Sequence, residues 1–161
     1  MVERGDESVN PDGEETRALN KLSGRVVGAS IEVHRHLGPG LLESAYEECL
    51  AYELALAGLT FSRQKVLPVI YKDVALECGY RIDFLVEDRL VVELKAVDQL
   101  QPVHTAQVIT YLKLLKLPLG LLINFNVPAL RQGIKRVVNG FPPPSDSLSP
   151  RPLRLGGKSD E

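Results

Sequence analysis

An aspartate, a glutamate and a lysine in residues 79–97 have the types and the spacing of a catalytic metal site. This stretch predicts two β-strands joined by a short charged turn at residues 87–89. If the apolar side chains of both strands face one core, Asp83 lies opposite Glu93 on the other face. Two facing carboxylates repel each other unless a cation lies between them. A hard divalent cation such as Mg²⁺ takes such oxygen ligands, and Lys95 would be close enough to orient or deprotonate a metal-bound water.

The alternation of residue types in these strands predicts which side chains share a face. Side chains on a strand point to opposite faces with a period of two. The predicted apolar face carries Ile82, Phe84 and Val86 together with Leu90, Val92 and Leu94. An alternative interpretation of the other face is a solvated surface with weak Arg81–Glu93 or Asp83–Lys95 ion pairs. The stretch alone is compatible with both interpretations.

Composition places the chain among single-domain globular proteins, with no global attraction to nucleic acid. It has 161 residues, 44% hydrophobic and 25% charged, and a formal net charge of −2. Any nucleic-acid binding would therefore depend on a local basic patch. Cys49 and Cys78 are too few for a disulfide framework or a zinc site, which favours a reducing cytosol. The longest apolar run, residues 117–125, contains Pro118 and is too short to span a membrane, so we expect a cytoplasmic protein without membrane association.

The chain divides into one domain between two polar segments. Residues 1–17 are acidic and contain no apolar stretch, which predicts a disordered leader rather than a signal peptide. Residues 18–139 are expected to form a single α/β domain. Residues 140–161 contain clustered prolines, serines and glycines, which predict a disordered tail.

Hydrophobic periodicity predicts the elements of this domain. Helices are expected at residues 18–37, ended by Gly38, Pro39 and Gly40, and at residues 41–56, 102–116 and 128–138. Strands are expected at residues 61–71, with Pro68 marking an edge or a bulge, at 74–76 after a Lys72-Asp73 turn, within 79–97, and at 119–125. The last strand is apolar throughout, as a buried parallel strand would be. The order helix, helix, three or four strands, helix, strand, helix predicts a mixed sheet.

Two of these helices carry polar residues that would face the strands. Gln107 and Tyr111 are one turn apart on the third helix, which would overhang the strand face carrying Glu93 and Lys95. Taken alone, such a pair is typical of a helix surface. Glu43 stands in the first turn of the second helix, where an acid also interacts favourably with the helix dipole.

Residues 40–46, GLLESAY, have the form GxxExxY. With this motif the chain resembles the GxxExxY protein family, which is placed in the PD-(D/E)xK nuclease superfamily. The resemblance covers residues 22–139. It implies a restriction-endonuclease-like α/β core of order αβββαβ with a mixed central sheet flanked by helices, which agrees with the order of the predicted elements.

The resemblance implies a metal site in the central hairpin. Asp83 and Glu93 would be ligands of Mg²⁺ or Mn²⁺, with the carbonyl of Leu94 as a further ligand. Lys95 would be the catalytic lysine beside the water. Ile82 stands where the superfamily's motif has proline, a position that is often replaced.

The resemblance also implies catalytic roles for residues on the helices. Gln107 and Tyr111 resemble the QxxxY element of RecB-like members, and would orient the nucleic-acid backbone or the catalytic lysine. Glu43 resembles the first-helix acid of the same members.

The implied activity is metal-dependent hydrolysis of phosphodiester bonds in nucleic acid, with DNA as the expected substrate. One alternative is a catalytically silent nucleic-acid-binding module; the presence of Asp83, Glu93 and Lys95 favours activity instead. A second alternative is a regulatory or interaction protein that keeps the fold. Because phosphate contacts normally dominate DNA affinity, the weakly charged surface is compatible with that alternative and with a protein partner or a homodimer.

Other polar residues are weaker candidates. His34 and His36 are two apart on a helix and point in different directions, so a shared metal is not expected. His104, in the first turn of the third helix, would either contact substrate or cap the helix. A basic stripe or a solvated face is predicted on the last helix, formed by Arg131, Lys135 and Arg136.

Overall fold

The computed structural model describes residues 11–141 of the chain. In chain order the elements are α1 (Pro11–Leu37), α2 (Glu43–Leu56), β1 (Phe61–Tyr71), β2 (Val74–Val86), β3 (Leu90–Lys95), α3 (Pro102–Leu115), β4 (Leu119–Asn124), a 3₁₀-helix (Leu130–Gly133) and β5 (Ile134–Val138).

The strands form one mixed sheet in the order β1-β2-β3-β4-β5. Neighbouring strands are antiparallel except β3 and β4, which are parallel. Parallel neighbours need a long crossover connection, and α3 lies in the connection between these strands. The predicted α/β fold with a mixed sheet is confirmed, and so is the parallel strand near residues 119–125.

Apolar side chains are buried on both faces of this sheet. One cluster, formed by α1, α2 and the sheet, includes Val26, Tyr46, Leu50, Phe84, Val92 and Phe125. The second cluster, formed by α3 and the opposite face, includes Leu85, Val91, Leu112, Leu122 and Val137. Because helices cover both faces of the central strands, β3 and β4 are almost entirely buried and apolar rather than alternating.

The central hairpin has the predicted register and turn. The paired residues are Phe84 with Val92, Leu85 with Val91, and Val86 with Leu90. Regular pairing of β2 with β3 ends at the Phe84–Val92 pair. One residue further from the turn, β2 has Asp83 and β3 has Glu93.

The predicted position of Ile82 is wrong. Its side chain packs in the cluster beneath α3, whereas Phe84 packs in the other cluster. Strict alternation would have placed both on one face. Beyond Phe84 the pairing of β2 with β3 stops, so the faces of β2 no longer alternate regularly across Asp83.

The hairpin of β1 and β2 contains the predicted irregularity and turn. The register shifts between Leu67 and Val69, around Pro68. Lys72 and Asp73 form the turn with φ of 47° and 65°, as a two-residue hairpin loop requires. Residues 71–80 are exposed, so the tip of this hairpin stands away from both cores.

The predicted helix at residues 128–138 is wrong. Residues 130–133 form a 3₁₀ turn, and Ile134–Val138 is β5, antiparallel to β4. The β-branched residues of this segment fit a pleated strand. A Cβ at Gly133 would lie 2.0 Å from the carbonyl oxygen of Asn124, so glycine is needed where the chain passes the end of β4.

The first helix begins earlier than predicted. α1 starts at Pro11, so residues 11–17 are helical and are not part of a disordered leader. The predictions for residues 1–10 and 142–161 lie outside the described residues. None of the helices within residues 11–141 combines the length and the apolar content needed to cross a membrane.

Candidate active site

The tyrosine of the GxxExxY motif holds the loop that places Glu43 at the start of α2. The Tyr46 hydroxyl donates a hydrogen bond to the carbonyl of Gly38 at 2.6 Å and accepts one from the N–H of Leu41 at 3.2 Å. Its ring is fully buried and stacks on Phe125 with centroids 4.5 Å apart. Tyr46 therefore ties the end of α1 to the start of α2.

Asp83 and Glu93 meet where β2 and β3 stop pairing. The N–H of Asp83 donates to Glu93 Oε1 at 2.8 Å, and the N–H of Leu94 donates to Asp83 Oδ2 at 2.9 Å. Each carboxyl group thus accepts a backbone bond from the opposite strand in place of a ladder bond. Glu93 is only 3% exposed, so the alternative interpretation of a solvated strand face does not hold for this residue.

The electrostatic environment joins Glu93, Asp83, Glu43 and Lys95 into one cluster. Burial, and then the Asp83 carboxylate, raise the pKa of Glu93 from 4.5 to about 8, against the opposing effects of the Asp83 N–H and Lys95. Burial also raises the pKa of Glu43, followed by the charge of Asp83, whereas Lys95 lowers it. The positive charge of Lys95 therefore acts on both Glu93 and Glu43. The cluster of Glu93, Asp83, Glu43 and Lys95 has an excess of negative charge when its carboxyl groups are ionised.

Gln64 is a member of this cluster that sequence reasoning missed. Its Nε2 donates to Glu47 Oε1 at 2.7 Å and to Asp83 Oδ1 at 3.1 Å. Gln64 has a positive φ of 51°, which is uncommon for a residue within a strand. Gln64 stands among other polar residues of β1, namely Ser62, Arg63 and Lys65, so its residue type alone did not single it out in the sequence.

Gln107 and Tyr111 on α3 lie near the same cluster, because the charges of Glu93 and Asp83 both act on Tyr111. Gln107 Nε2 donates to the Tyr111 hydroxyl at 2.9 Å. Burial, and then the charge of Glu93, raise the pKa of Tyr111 to about 12. The predicted pair is therefore assembled, and Tyr111 is a buried neighbour of Glu93 rather than a surface residue.

Asn124 fixes the chain beyond Lys95 and was also missed. It pairs with Lys95 between β4 and β3 and is 2% exposed. Its side chain accepts from the N–H of Val97 at 3.1 Å and donates to the Val97 carbonyl at 2.9 Å. The signal available in the sequence was a single asparagine near the end of the apolar run of residues 117–125.

A comparison with protein families matches residues 20–137 to the PD-(D/E)XK nuclease superfamily. The chain belongs to this superfamily. Among curated proteins and among solved structures, no match is found. The five-stranded mixed sheet with helices on both faces is consistent with the PD-(D/E)XK fold.

The donor set of this PD-(D/E)XK protein fits a hard divalent cation. PD-(D/E)XK nucleases generally use divalent metals such as Mg²⁺. Within residues 11–141, no three His, Cys, Asp or Glu side chains are already arranged as a metal site. Asp83 and Glu93 nevertheless supply adjacent carboxylate oxygens, the ligand type that Mg²⁺ and Mn²⁺ prefer. A cation between them would relieve the repulsion that raises the pKa of Glu93.

The weaker candidates lie elsewhere or have local partners. His34 is buried with Nε2 2.8 Å from the Val127 carbonyl, and His36 bonds to Glu32, so the two imidazoles do not converge. His104 caps α3, because its Nδ1 accepts from the Gln101 N–H at 2.9 Å.

The predicted basic stripe does not form on a helix. Arg131 is exposed in the 3₁₀ turn, and Lys135 and Arg136 belong to β5. Arg136 donates to Asn20 at 2.6 Å, a contact that ties β5 to α1.

Proposed function

We propose that this chain is a metal-dependent nuclease that hydrolyses phosphodiester bonds in DNA, and that it is a GxxExxY protein. The observation that carries the proposal is the meeting of Asp83 and Glu93 where β2 and β3 separate, with Lys95 two residues beyond Glu93 on β3. Membership of the PD-(D/E)XK nuclease superfamily supports nucleic acid as the substrate class.

The proposed metal ligands are Asp83, Glu93 and the carbonyl of Leu94. When bound, Mg²⁺ or Mn²⁺ would polarise the scissile phosphate and lower the pKa of a water ligand. Lys95 would position the attacking water and stabilise the negative charge that develops on the phosphoryl oxygens. The Leu94 N–H already holds Asp83 by one oxygen, which pre-orients the carboxylate.

The helix residues would act around this centre. Glu43 is close enough to Asp83 and Lys95 to feel both charges, so it would orient the lysine or accept the proton of the nucleophile. The Gln107–Tyr111 pair lies near Glu93, whose charge acts on Tyr111. It would hold the glutamate in position and contact the nucleic-acid backbone.

A nucleic-acid-binding module without catalysis is a second candidate. The burial and the raised pKa of Glu93 favour it. This residue is 3% exposed and accepts a backbone hydrogen bond, and its pKa of about 8 keeps it largely protonated at neutral pH in the absence of metal. Such a carboxyl group can be structural. Cleavage assays separate the two candidates, because only the nuclease requires Lys95.

The test is cleavage of end-labelled single- and double-stranded DNA and RNA with Mg²⁺ or Mn²⁺. We expect wild-type protein to cleave DNA and Lys95→Ala to lose about 100-fold or more in rate, as for loss of a group that stabilises transition-state charge. Lys113→Ala is the matched control, because Lys113 is an exposed lysine on α3, and it should cleave like wild type. Equal cleavage by Lys95→Ala, or no cleavage of any substrate by wild type, would contradict the proposal.

A further inference from the structure

A cavity of about 340 Å³ lies between β2 and α3, next to the proposed active site. Tyr80 forms one wall. The other wall is one face of α3, since the lining positions 103, 106, 107 and 110 follow helical spacing. The lining residues are Tyr80, Val103, His104, Ala106, Gln107 and Thr110.

Two of the lining residues connect this cavity to the acidic cluster. Gln107 lines the cavity and donates to the Tyr111 hydroxyl at 2.9 Å. The Tyr80 ring lies edge-on to Tyr111 with centroids 6.4 Å apart. Burial, and then the charge of the nearby Glu93, raise the pKa of Tyr111. A strand whose phosphate binds at the metal centre proposed for Asp83 and Glu93 would therefore place a neighbouring nucleotide near the cavity.

The lining of the cavity suits a flat neutral ligand. It contains no lysine, arginine, aspartate or glutamate, so it offers neither a partner for a phosphate nor a repulsive charge. Tyr80 is 40% exposed and Val103 is 67% exposed, which leaves apolar surface for stacking. Gln107 and Thr110 add an amide and a hydroxyl. Since His104 Nδ1 accepts from the Gln101 N–H, the neutral imidazole carries its proton on Nε2 as a donor.

We infer that this cavity takes one unpaired base of the nucleic-acid substrate, stacked on Tyr80 and read by Gln107 and His104. The inference rests on the nuclease function proposed above and narrows its substrate to single-stranded nucleic acid or to nucleotides freed from a duplex. A paired base inside a duplex cannot enter such a pocket unless it is flipped out. Base stacking on aromatic side chains is also how single-strand binding proteins gain affinity. That contribution suits a chain of net charge −2, which lacks a general attraction to phosphate.

The absence of tryptophan from the chain permits a direct test. Tyr80→Trp would introduce a single tryptophan, keep the aromatic wall and report base stacking through its fluorescence. Tyr52→Trp is the matched control, because Tyr52 is a 65% exposed tyrosine on the outer face of α2. Both variants are titrated in Ca²⁺ buffer with a DNA strand of about 15 nucleotides, a length near the upper site size of single-strand binding folds. The comparison ligands are the same strand in a duplex and an abasic strand of equal length.

We expect the single strand to decrease the fluorescence of Tyr80→Trp about twofold or more, through stacking. The abasic strand, the duplex and the Tyr52→Trp protein should show little change. An absent response, or an equal response to the abasic strand, would overturn the inference.

Binding and cleavage variants separate this inference from the proposed nuclease activity. Tyr80→Ala should weaken single-strand binding about tenfold, equivalent to about 1.4 kcal/mol, whereas Tyr80→Phe should bind like wild type. A quenched Tyr80→Trp protein without cleavage by wild type would support the base pocket and refute the nuclease. Cleavage by wild type, together with unchanged single-strand affinity in Tyr80→Ala, would support the nuclease and refute the base pocket.

Discussion

Replacing Glu93 by glutamine should stabilise the metal-free protein at alkaline pH and leave it almost unchanged at acidic pH. Glu93 is 3% exposed, and its pKa is raised from 4.5 to about 8, first by burial and then by Asp83. Because the folded state holds this proton more tightly than the unfolded state, the stability that it contributes is fully present below pH 4.5. That stability is lost as the pH rises towards 8. Glutamine is neutral at every pH and can still accept the hydrogen bond from the N–H of Asp83.

The size of the effect follows from the shift in pKa. One pKa unit corresponds to about 1.4 kcal/mol, so a rise from 4.5 to about 8 sets an upper limit of about 5 kcal/mol. Relaxation of the site and entry of water reduce such penalties, so we expect Glu93→Gln to gain about 1–4 kcal/mol over wild type at about pH 9. The gain should decrease steadily towards about pH 5.

The assay is urea unfolding in EDTA followed by far-ultraviolet circular dichroism at several pH values. Glu77→Gln is the matched control, because Glu77 is an exposed glutamate on β2, and its stability should differ little from wild type at every pH. If Glu93→Gln is as stable as wild type or less stable at about pH 9, the ionised Glu93 is not destabilising and the reasoning is refuted.

Three further changes test the positioning of the site. Tyr46→Phe removes the hydroxyl that bonds to Gly38, and should cost about 1–2 kcal/mol in urea unfolding; an unchanged midpoint would contradict the role given to the motif tyrosine. Gly133→Ala would place a Cβ 2.0 Å from a backbone oxygen, so a loss of about 3 kcal/mol or more is expected, whereas Gly24→Ala, in open helical surface, should stabilise by up to about 1 kcal/mol. The Mn²⁺ affinity measured by calorimetry should increase about tenfold for each unit by which the pH is raised towards the Glu93 pKa of about 8, because the ligand must first lose its proton. An affinity that does not change with pH would exclude Glu93 as a ligand.

The hairpin at the centre of the site was predictable because its information is local. The period of two, the charged turn and the apolar residues together defined the register that the structure has. Ile82 was misplaced because the pairing ends at Phe84, where the Asp83 and Glu93 side chains bond to the backbone of the opposite strand. The functional carboxylates thus interrupt the pattern from which the prediction was made.

Features that depend on distant parts of the chain were not predictable. Residues 128–138 have a pattern that suits a helix, but pairing with β4 makes its second half a strand. Gln64 joins the site only through contacts with Glu47 and Asp83. Neither contact could be predicted from the local sequence of β1, because Glu47 and Asp83 lie on other elements. The burial of Glu93 is likewise a product of α3 covering that face of the sheet.

The most direct test of the account is calorimetric titration of Mn²⁺ into wild-type protein beside Asp83→Ala and Glu93→Ala. Wild type should bind the ion and both variants should lose binding, because the two carboxylates hold the ion jointly. Glu77→Ala, which removes an exposed acid, should bind like wild type. Absence of binding to wild type at millimolar Mn²⁺, or unchanged binding in either site variant, would contradict the claim that Asp83 and Glu93 form a metal centre.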